Sequence, residues 1–273
     1  MISRIAATFL VLLLVCRPAD ASAVSKVVVL VPSLVEDLCA IGGAGQLAGV
    51  SSATRDVPCA KGVPVVGDFA SVDTEKIVAM HADLVVGIPA QARLTDPLVR
   101  AGIRVRLLDD DGYANIFDDI RALGDLTGHA RAAAALVASL RAETARLTAS
   151  RRFRRVPTVF VALGTGPIYT VGPTSYIARL IALAGGKDAV AALPGAYGEY
   201  SAEALLRLQP DAIVTDPSVG LNAVLDREPW RSLRAVKNGH VFVLPDAALL
   251  ERPGPRYNRG LRWLIGRLTP LAR

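Results

Sequence analysis

The chain has 273 residues, which is enough for one large domain or two domains of medium size. It is 52% hydrophobic and only 5% aromatic, and its formal net charge of +6 comes from basic residues that are interleaved with acids. No basic stripe is combined with stacking aromatics, so the composition argues against a nucleic-acid-binding protein.

Residues 1–23 have the pattern of a secretory signal peptide. A basic residue comes early, residues 9–15 (FLVLLLV) are all apolar, and residues 21–23 (ASA) provide the small side chains of a cleavage site. The apolar run is too short to span a membrane. We therefore expect a soluble, exported mature protein that begins near Val24.

Six short apolar runs predict β-strands that are buried on both faces. They are residues 26–31, 83–88, 103–108, 158–163, 211–215 and 240–244. Continuous apolar runs of this kind are typical of parallel sheets covered by helices. Helices are predicted between the strands, for example at 34–41, with Ser33 as N-cap, and at 176–184. The alternation of strands and helices predicts an α/β fold.

Residues 129–150 differ from the rest of the chain. They contain no Gly or Pro and are rich in Ala, Leu, Arg and Glu, which favour a helix about 33 Å long. The alternation of strands and helices resumes after this segment. The sequence therefore predicts two Rossmann-like lobes with parallel sheets, residues 24–128 and 151–273, joined by one long connecting helix.

A phrase occurs twice in the sequence, once in each predicted lobe. Residues 73–86 (DTEKIVAMHADLVV) match residues 201–214 (SAEALLRLQPDAIV), and each copy predicts a short helix that leads into a strand. Glu75 and Glu203 fall in the first helical turn, where the helix dipole favours an acid by about 0.3–1 kcal/mol. The helix dipole by itself is enough to explain why an acid stands in the first turn of each helix. Alternatively, the two acids form a matched pair for a partner with two-fold symmetry.

The mature chain keeps two cysteines, Cys39 and Cys59. In an oxidising compartment they could form a disulfide, which would stabilise the fold by roughly 3 kcal/mol. The alternative is two independent cysteines, with Cys39 buried on a helix. Lipidation of the remaining Cys16 is a weaker hypothesis than a cleaved leader, because the bulky Val15 precedes it.

Four segments resemble one known family. They are residues 67–86, 169–186, 200–214 and 251–256 (ERPGPR). In this order they resemble the periplasmic substrate-binding proteins of ABC importers for metal chelates, and most closely the cobalamin-binding members. The resemblance covers residues 26–268. It implies two α/β lobes bridged by a long helix, a periplasmic location, a monomer and a ligand cleft between the lobes.

The resemblance also implies roles for individual residues. Three aromatics match positions that line the cleft, the 251–256 loop supplies polar contacts, and Ser33 lies at the first strand-to-helix turn. The predicted ligand-binding residues are Ser33, Phe69, Tyr169, Tyr197, Glu251 and Arg252. Some cobalamin-binding relatives carry a further aromatic where this chain has Ala53. The acids of the repeat, Glu75 and Glu203, match residues that dock onto arginines of the permease dimer in the inner membrane.

Alternatives to a corrinoid ligand remain within the same family. The chelate could be a ferric siderophore, or haem with Tyr197 or Tyr200 as a ligand to the iron. His81, His129 and His240 are each read as structural or exposed, and no metal site or cofactor of the protein's own is predicted. An enzyme is the rival class. The glycine-rich segment 42–49 follows a helix where a dinucleotide fingerprint needs a strand, and no nucleophile–base motif is present, so we expect no catalysis.

Overall fold

The computed structural model describes residues 24–109, 111–149, 154–190 and 192–273, so the predicted leader and Cys16 lie outside the described residues. The strands are β1 Val27–Val29, β2 Leu47–Val50, β3 Leu84–Gly87, β4 Val105–Leu107, β5 Thr158–Ala162, β6 Gly164–Thr165, β7 Ile168–Val171, β8 Lys187–Asp188, β9 Tyr197–Glu199, β10 Ala212–Thr215 and β11 Val241–Val243. The helices are α1 Pro32–Ala40, α2 Thr74–Ala79, α3 Ala92–Arg100, α4 Asn115–Thr127, α5 Ala130–Thr148, α6 Tyr176–Leu183, α7 Ala202–Leu208, α8 Arg234–Lys237, α9 Ala248–Glu251 and α10 Tyr257–Leu268. In these ranges no helix is both long and apolar enough to cross a membrane.

Each half of the chain contains a four-stranded sheet. The strand order is β2-β1-β3-β4 in the first half and β11-β10-β5-β8 in the second, and all pairings within both sheets are parallel. The central strands β1, β3 and β10 are fully buried, as their continuous apolar runs predict. The predicted α/β class with parallel sheets is confirmed.

A third, antiparallel sheet was not predicted. It has the order β6-β7-β9 and lies in the second half of the chain. Its strands are two to four residues long, and β6 and β9 contain glycine, so they carry little of the apolar pattern that marks a strand. Strand β2 was missed for a similar reason, since its first three residues belong to the glycine-rich segment 42–49.

The long predicted helix 129–150 corresponds to α5, and residue 150 lies outside the described residues. Helix α10 from the end of the chain is fastened to α5 by buried polar contacts. The Thr144 hydroxyl lies 2.6 Å from the Tyr257 hydroxyl and donates to the side-chain Oδ1 of Asn258 at 2.8 Å. The Tyr257 ring packs edge-on against Tyr113 and Phe117 of the first half, with centroids 5.3 and 5.9 Å away. The two halves are therefore locked together beside the connecting helix.

The predicted start of the first helix was wrong. We expected a helix at 34–41 with Ser33 as its N-cap, but α1 begins at Pro32 and its N-cap is Val31, whose side chain makes no capping bond. Proline suits the first helical position because its φ is already fixed and its missing N–H would have no partner there. Ser33 is thus a buried residue of the first turn, 5% exposed.

Both copies of the repeat fold alike. The Asp73 side chain accepts a hydrogen bond from the Lys76 backbone N–H, and Ser201 accepts one from Ala204, so each caps its helix. His81 and Gln209 occupy equivalent positions after these helices, and both have a positive φ.

The aspartates of the repeat join neighbouring strands. The Asp83 carboxylate accepts hydrogen bonds from the backbone N–H groups of Ser25 and Lys26, just before β1. The Asp211 carboxylate accepts from the backbone N–H and hydroxyl of Thr158, the first residue of β5. In each copy, the aspartate therefore connects the strand that follows it to a neighbouring strand of the sheet, β3 to β1 in the first copy and β10 to β5 in the second.

Cys39 and Cys59 are joined by a disulfide with an S–S distance of 2.06 Å. Cys39 lies in the last turn of α1, and Cys59 lies in the segment that follows β2. The bond holds that segment, which includes Asp56, against α1.

Candidate functional site: the cleft between the lobes

The carboxyl ends of the parallel strands in both lobes face a cleft. Two cavities of about 540 and 360 Å³ lie there, and Glu251 lines both of them. Ligands of open α/β sheets bind outside the carboxyl ends of the strands, because the loops there are free to carry polar side chains. The cleft is therefore the candidate ligand site.

The larger cavity is built from both lobes. The first lobe contributes residues that follow β1, β2 and β3, including Ser33, Asp56 and Phe69. The second lobe contributes residues 246–248 and 251–253, which include Asp246, Glu251 and Arg252. A ligand in this cavity would contact both lobes at once.

Phe69 is presented to the cleft by a tight turn. The Asp68 carboxylate accepts hydrogen bonds from the Ala70 backbone N–H at 2.8 Å and from the Ser71 hydroxyl at 2.9 Å. Gly67 has φ +148°, and a Cβ there would lie 2.2 Å from the Ser71 carbonyl oxygen, so only glycine fits. The Phe69 side chain is 57% exposed, which is unusual for an aromatic of this size.

Tyr169 and Tyr197 line the smaller cavity from the antiparallel sheet. In the register of β7 and β9, Val171 pairs with Tyr197, so Tyr169 is the diagonal neighbour of Tyr197 on the same face. The unpredicted sheet thus explains how two tyrosines far apart in sequence reach one wall of the cleft. Tyr200 packs its ring against Phe160, with centroids 5.9 Å apart, and belongs to the core of the second lobe.

A buried acid of the first lobe binds the arginines of the 251–256 loop. Glu36 of α1, whose side chain is 6% exposed, accepts from Arg252 Nη1 at 3.2 Å and from Arg256 Nε at 2.9 Å. Arg252 also contacts Asp56, with an Nη2–Oδ2 distance of 2.7 Å. This hydrogen bond lowers the pKa of Asp56. The Arg252 guanidinium is therefore already engaged by two carboxylates of the opposite lobe.

Two acids meet where the cavities join. Asp216, which follows β10 and is 3% exposed, accepts a hydrogen bond from the Ser218 backbone N–H at 2.6 Å. Burial opposes ionisation of Asp216, but hydrogen bonds from Ser218 and Glu251 outweigh it and lower its pKa. The Glu251 carboxyl is partly shielded from water although the residue as a whole is exposed. This shielding, with the hydrogen bond to Asp216 and repulsion from its charge, raises the pKa of Glu251 to about 8. The pair shares a proton at neutral pH.

All six predicted ligand-binding residues line the two cavities: Ser33, Phe69, Tyr169, Tyr197, Glu251 and Arg252. The docking candidates Glu75 and Glu203 lie elsewhere, exposed in the first turns of α2 and α7.

Sequence reasoning missed Glu36, Asp56 and Asp216. Asp216 immediately follows a predicted strand, and this position was the one available signal for it. Within the described ranges, no group of three or more His, Cys, Asp or Glu side chains could hold a metal ion.

Comparison with known proteins identifies the family. The model of the periplasmic binding protein family matches residues 27–248, which is most of the chain. The chain belongs to this family. Its members are transport proteins and not enzymes, and they work outside the cytoplasm.

Individual relatives agree with this assignment. The ABC transporter substrate-binding lipoprotein YvrC of Bacillus subtilis (strain 168) is 30% identical over 256 residues, covering 90% of this chain and 80% of the relative. The vitamin B12-binding protein of Vibrio vulnificus (strain CMCP6) is 26% identical over 255 residues, covering 90% of each. The crystal structure of a periplasmic haem-binding protein from Pseudomonas aeruginosa matches with a TM-score of 0.80 and 26% identity, covering 92% of this chain and 94% of that one. The protein is thus a substrate-binding protein of an ABC transporter.

Proposed function

We propose that the protein captures a cobalamin-like corrinoid in the cleft and delivers it to the permease of an ABC importer. It does so as a monomer in the periplasm, after removal of the leader, and without catalysis or a cofactor of its own. The vitamin B12-binding relative supports the ligand class, because its similarity extends over 90% of both chains.

The observation that carries this proposal is the position of the aromatic side chains. Phe69 reaches the cleft from one lobe, and Tyr169 and Tyr197 reach it from the other. Aromatic rings cover the face of a flat macrocycle and lose little conformational entropy on binding, since each has only two side-chain torsions. A cleft with rings on opposite walls suits a large planar chelate.

Titration with cyanocobalamin tests the ligand. We expect saturable binding of one corrinoid per chain, seen by tryptophan fluorescence quenching or calorimetry. Tyr169→Ala and Tyr197→Ala should each weaken binding by about 1 kcal/mol, the usual value of an aromatic contact beyond its buried area. Val99→Ala, an exposed residue of α3 outside the cleft, is the control. Unchanged affinity in both tyrosine variants would remove them from the site.

Haem is the second candidate ligand. The haem-binding relative from Pseudomonas aeruginosa supports it, and the phenol oxygens of Tyr169 and Tyr197 are chemically suited to ligate ferric iron. Since Tyr200 lines neither cavity and packs against the core of the second lobe, it is dropped from this hypothesis. Haem ligated by a tyrosine would shift its visible absorption bands, and Tyr197→Phe or Tyr169→Phe would abolish the shift. A haem titration without any spectral change would dismiss this candidate.

We further propose that Glu75 and Glu203 bind arginines of the permease dimer. Both carboxylates are exposed at equivalent positions of the repeat, and the one ion pair in the described part of the chain that involves either of them is the weak contact of Glu203 with the exposed Arg207, 3.9 Å away. Glu75→Lys with Glu203→Lys should abolish uptake into cells or proteoliposomes and leave the ligand affinity unchanged. Reversal of two exposed acids outside the repeat, Asp125 and Asp226, is the matched control. Full uptake by the first double variant would refute the docking role.

A further inference from the structure

The charged side chains around the cleft are unevenly distributed. Within the described part of the chain, those that line the two cavities are four acids and one base: Asp56, Asp216, Asp246, Glu251 and Arg252. A protein with a net positive charge therefore has a locally acidic ligand site. The overall charge of the chain gives no indication of this.

The single arginine does not neutralise the cleft. Arg252 contacts Asp56 at 2.7 Å and Glu36 at 3.2 Å, and its side chain is only 19% exposed. Arg256 is bound to the same Glu36. The two arginines and these two carboxylates balance each other, so they contribute no net charge to a ligand.

Within the described residues, the acids on the second lobe form no such salt bridge, and Arg252 and Arg256 attract Glu251 and Asp246 only from a longer distance. Asp216 and Asp246 are held by backbone N–H groups, those of Ser218 at 2.6 Å and Ala248 at 3.0 Å. Backbone N–H groups keep a carboxylate ionised but carry no net charge. Glu251 adds a third carboxyl, which shares its proton with Asp216 at neutral pH. The wall formed by the second lobe is therefore anionic, by about two charges.

We propose that the cleft selects its chelate by charge, accepting neutral or cationic chelates that carry N–H donors and discriminating against anionic ones. The inference rests on the proposed function, and it names the charge class of the ligand. Uncompensated carboxylates accept hydrogen bonds from peripheral amide groups and attract a cationic metal centre. They repel carboxylate or catecholate groups, and a cleft with low-dielectric walls strengthens both effects.

A series of chelates that differ mainly in charge tests the proposal. The corrinoid series is aquacobalamin, cyanocobalamin, and cyanocobalamin with one side-chain amide hydrolysed to a carboxylate. The ferric series is a neutral trihydroxamate, ferrichrome, and an anionic triscatecholate, ferric enterobactin. We expect affinity to fall about tenfold for each added negative charge at low ionic strength, as two charges about 10 Å away would produce at an effective dielectric constant of about 50. Added salt should reduce the difference in affinity between neutral and anionic chelates, because it screens these charges.

Two variants locate the effect. Asp246→Asn removes one charge, and Asp216→Asn combined with Glu251→Gln removes the charge of the acid pair, because Glu251 would otherwise ionise once Asp216 is neutral. Asparagine at 216 and 246 retains a side-chain oxygen for the N–H groups of Ser218 and Ala248. Each variant should reduce the affinity ratio between cyanocobalamin and its carboxylate derivative by about threefold, and all three substitutions together by about tenfold. Asp125→Asn, an exposed acid of α4 outside the cleft, should leave this ratio unchanged.

The outcomes separate the charge inference from the proposed function. The charge inference is wrong, and corrinoid capture stands, if all corrinoids bind with equal affinity. The same holds if neither salt nor the variants change the affinity ratio between cyanocobalamin and its carboxylate derivative. If only the ferric chelates bind, and ferrichrome binds more tightly than ferric enterobactin, the corrinoid assignment is wrong and the charge inference stands. Preference for the anionic member of either series overturns the inference, and binding of none overturns both.

Discussion

Replacement of Glu36 by glutamine tests how the two lobes are held together at the cleft. The Glu36 carboxylate lies on α1 of the first lobe and contacts Arg252 and Arg256 of the second. Glutamine keeps the shape but leaves two guanidinium groups without their shared counterion. Loss of one partner of a buried ion pair typically costs about 3–5 kcal/mol. Since the arginine side chains remain 19% and 35% exposed, water compensates in part, and we expect a loss of about 2–3 kcal/mol.

Urea denaturation at pH 7, followed by circular dichroism, measures this loss. The midpoint should fall while the slope stays constant, because the variant exposes the same surface on unfolding. Glu203→Gln is the matched control: its carboxylate is 86% exposed, 3.9 Å from Arg207, and should change stability by less than about 0.5 kcal/mol. A loss for Glu36→Gln no larger than that of the control would refute the reasoning that this ion-pair cluster stabilises the fold.

Three further predictions concern stability. Replacing Cys39 and Cys59 by serine opens a loop of sequence separation 20, for which the chain-entropy relation gives a loss of about 3 kcal/mol; a loss below 1 kcal/mol in urea titrations would contradict it. Asp211→Asn should cost about 2–3 kcal/mol and Asp83→Asn about 1 kcal/mol in the same assay, because Asp211 is buried and also binds two arginines; equal losses would contradict this difference. The raised pKa of Glu251 means that its contribution to stability is complete below about pH 4.5 and is lost as the pH rises through about 8. The free energy of unfolding should therefore fall less between pH 5 and 9 in Glu251→Gln than in the parent protein. Parallel plots of this free energy against pH for the two proteins would contradict the prediction.

The sequence predicted the sheets of both lobes because short, continuous apolar runs rich in β-branched residues are typical of strands buried on two faces. It did not predict β7 and β9, which are only four and three residues long. Their pairing is decided by the lobe as a whole and not by a local pattern. As a result, Tyr169 and Tyr197 were assigned to the cleft from family resemblance alone, with no account of how they come together.

Glu36 shows more directly why the site could not be derived in full. In α1 the apolar residues Leu34, Val35 and Leu38 define a core-facing side, which predicts solvent for Glu36 and Asp37. Yet Glu36 is 7% exposed and Asp37 is fully buried. Burial and the neighbouring acids Asp119 and Glu36 raise the pKa of Asp37 well above its usual range. Glu36 is covered by Arg252 and Arg256 of the other lobe, whereas Asp37 lies close to Asp119 of α4 and to Gly254 of the 251–256 loop. Helical periodicity cannot reveal such tertiary contacts.

The contact between Glu36 of α1 and the 251–256 loop limits how the cleft can change when a ligand binds. The 251–256 loop is held at one end by Glu36 and leads directly into Tyr257, whose ring packs against the first lobe and whose hydroxyl contacts Thr144 of the connecting helix. The 251–256 loop, which lines the cleft, is therefore already fixed to the first lobe and to the connecting helix. Large hinge closure would have to break these contacts, whereas rearrangement of exposed side chains such as Phe69 would not. Selectivity should then reside in the size and charge of the lining side chains. Ala53, which lines the larger cavity, offers space there that a bulkier residue would fill.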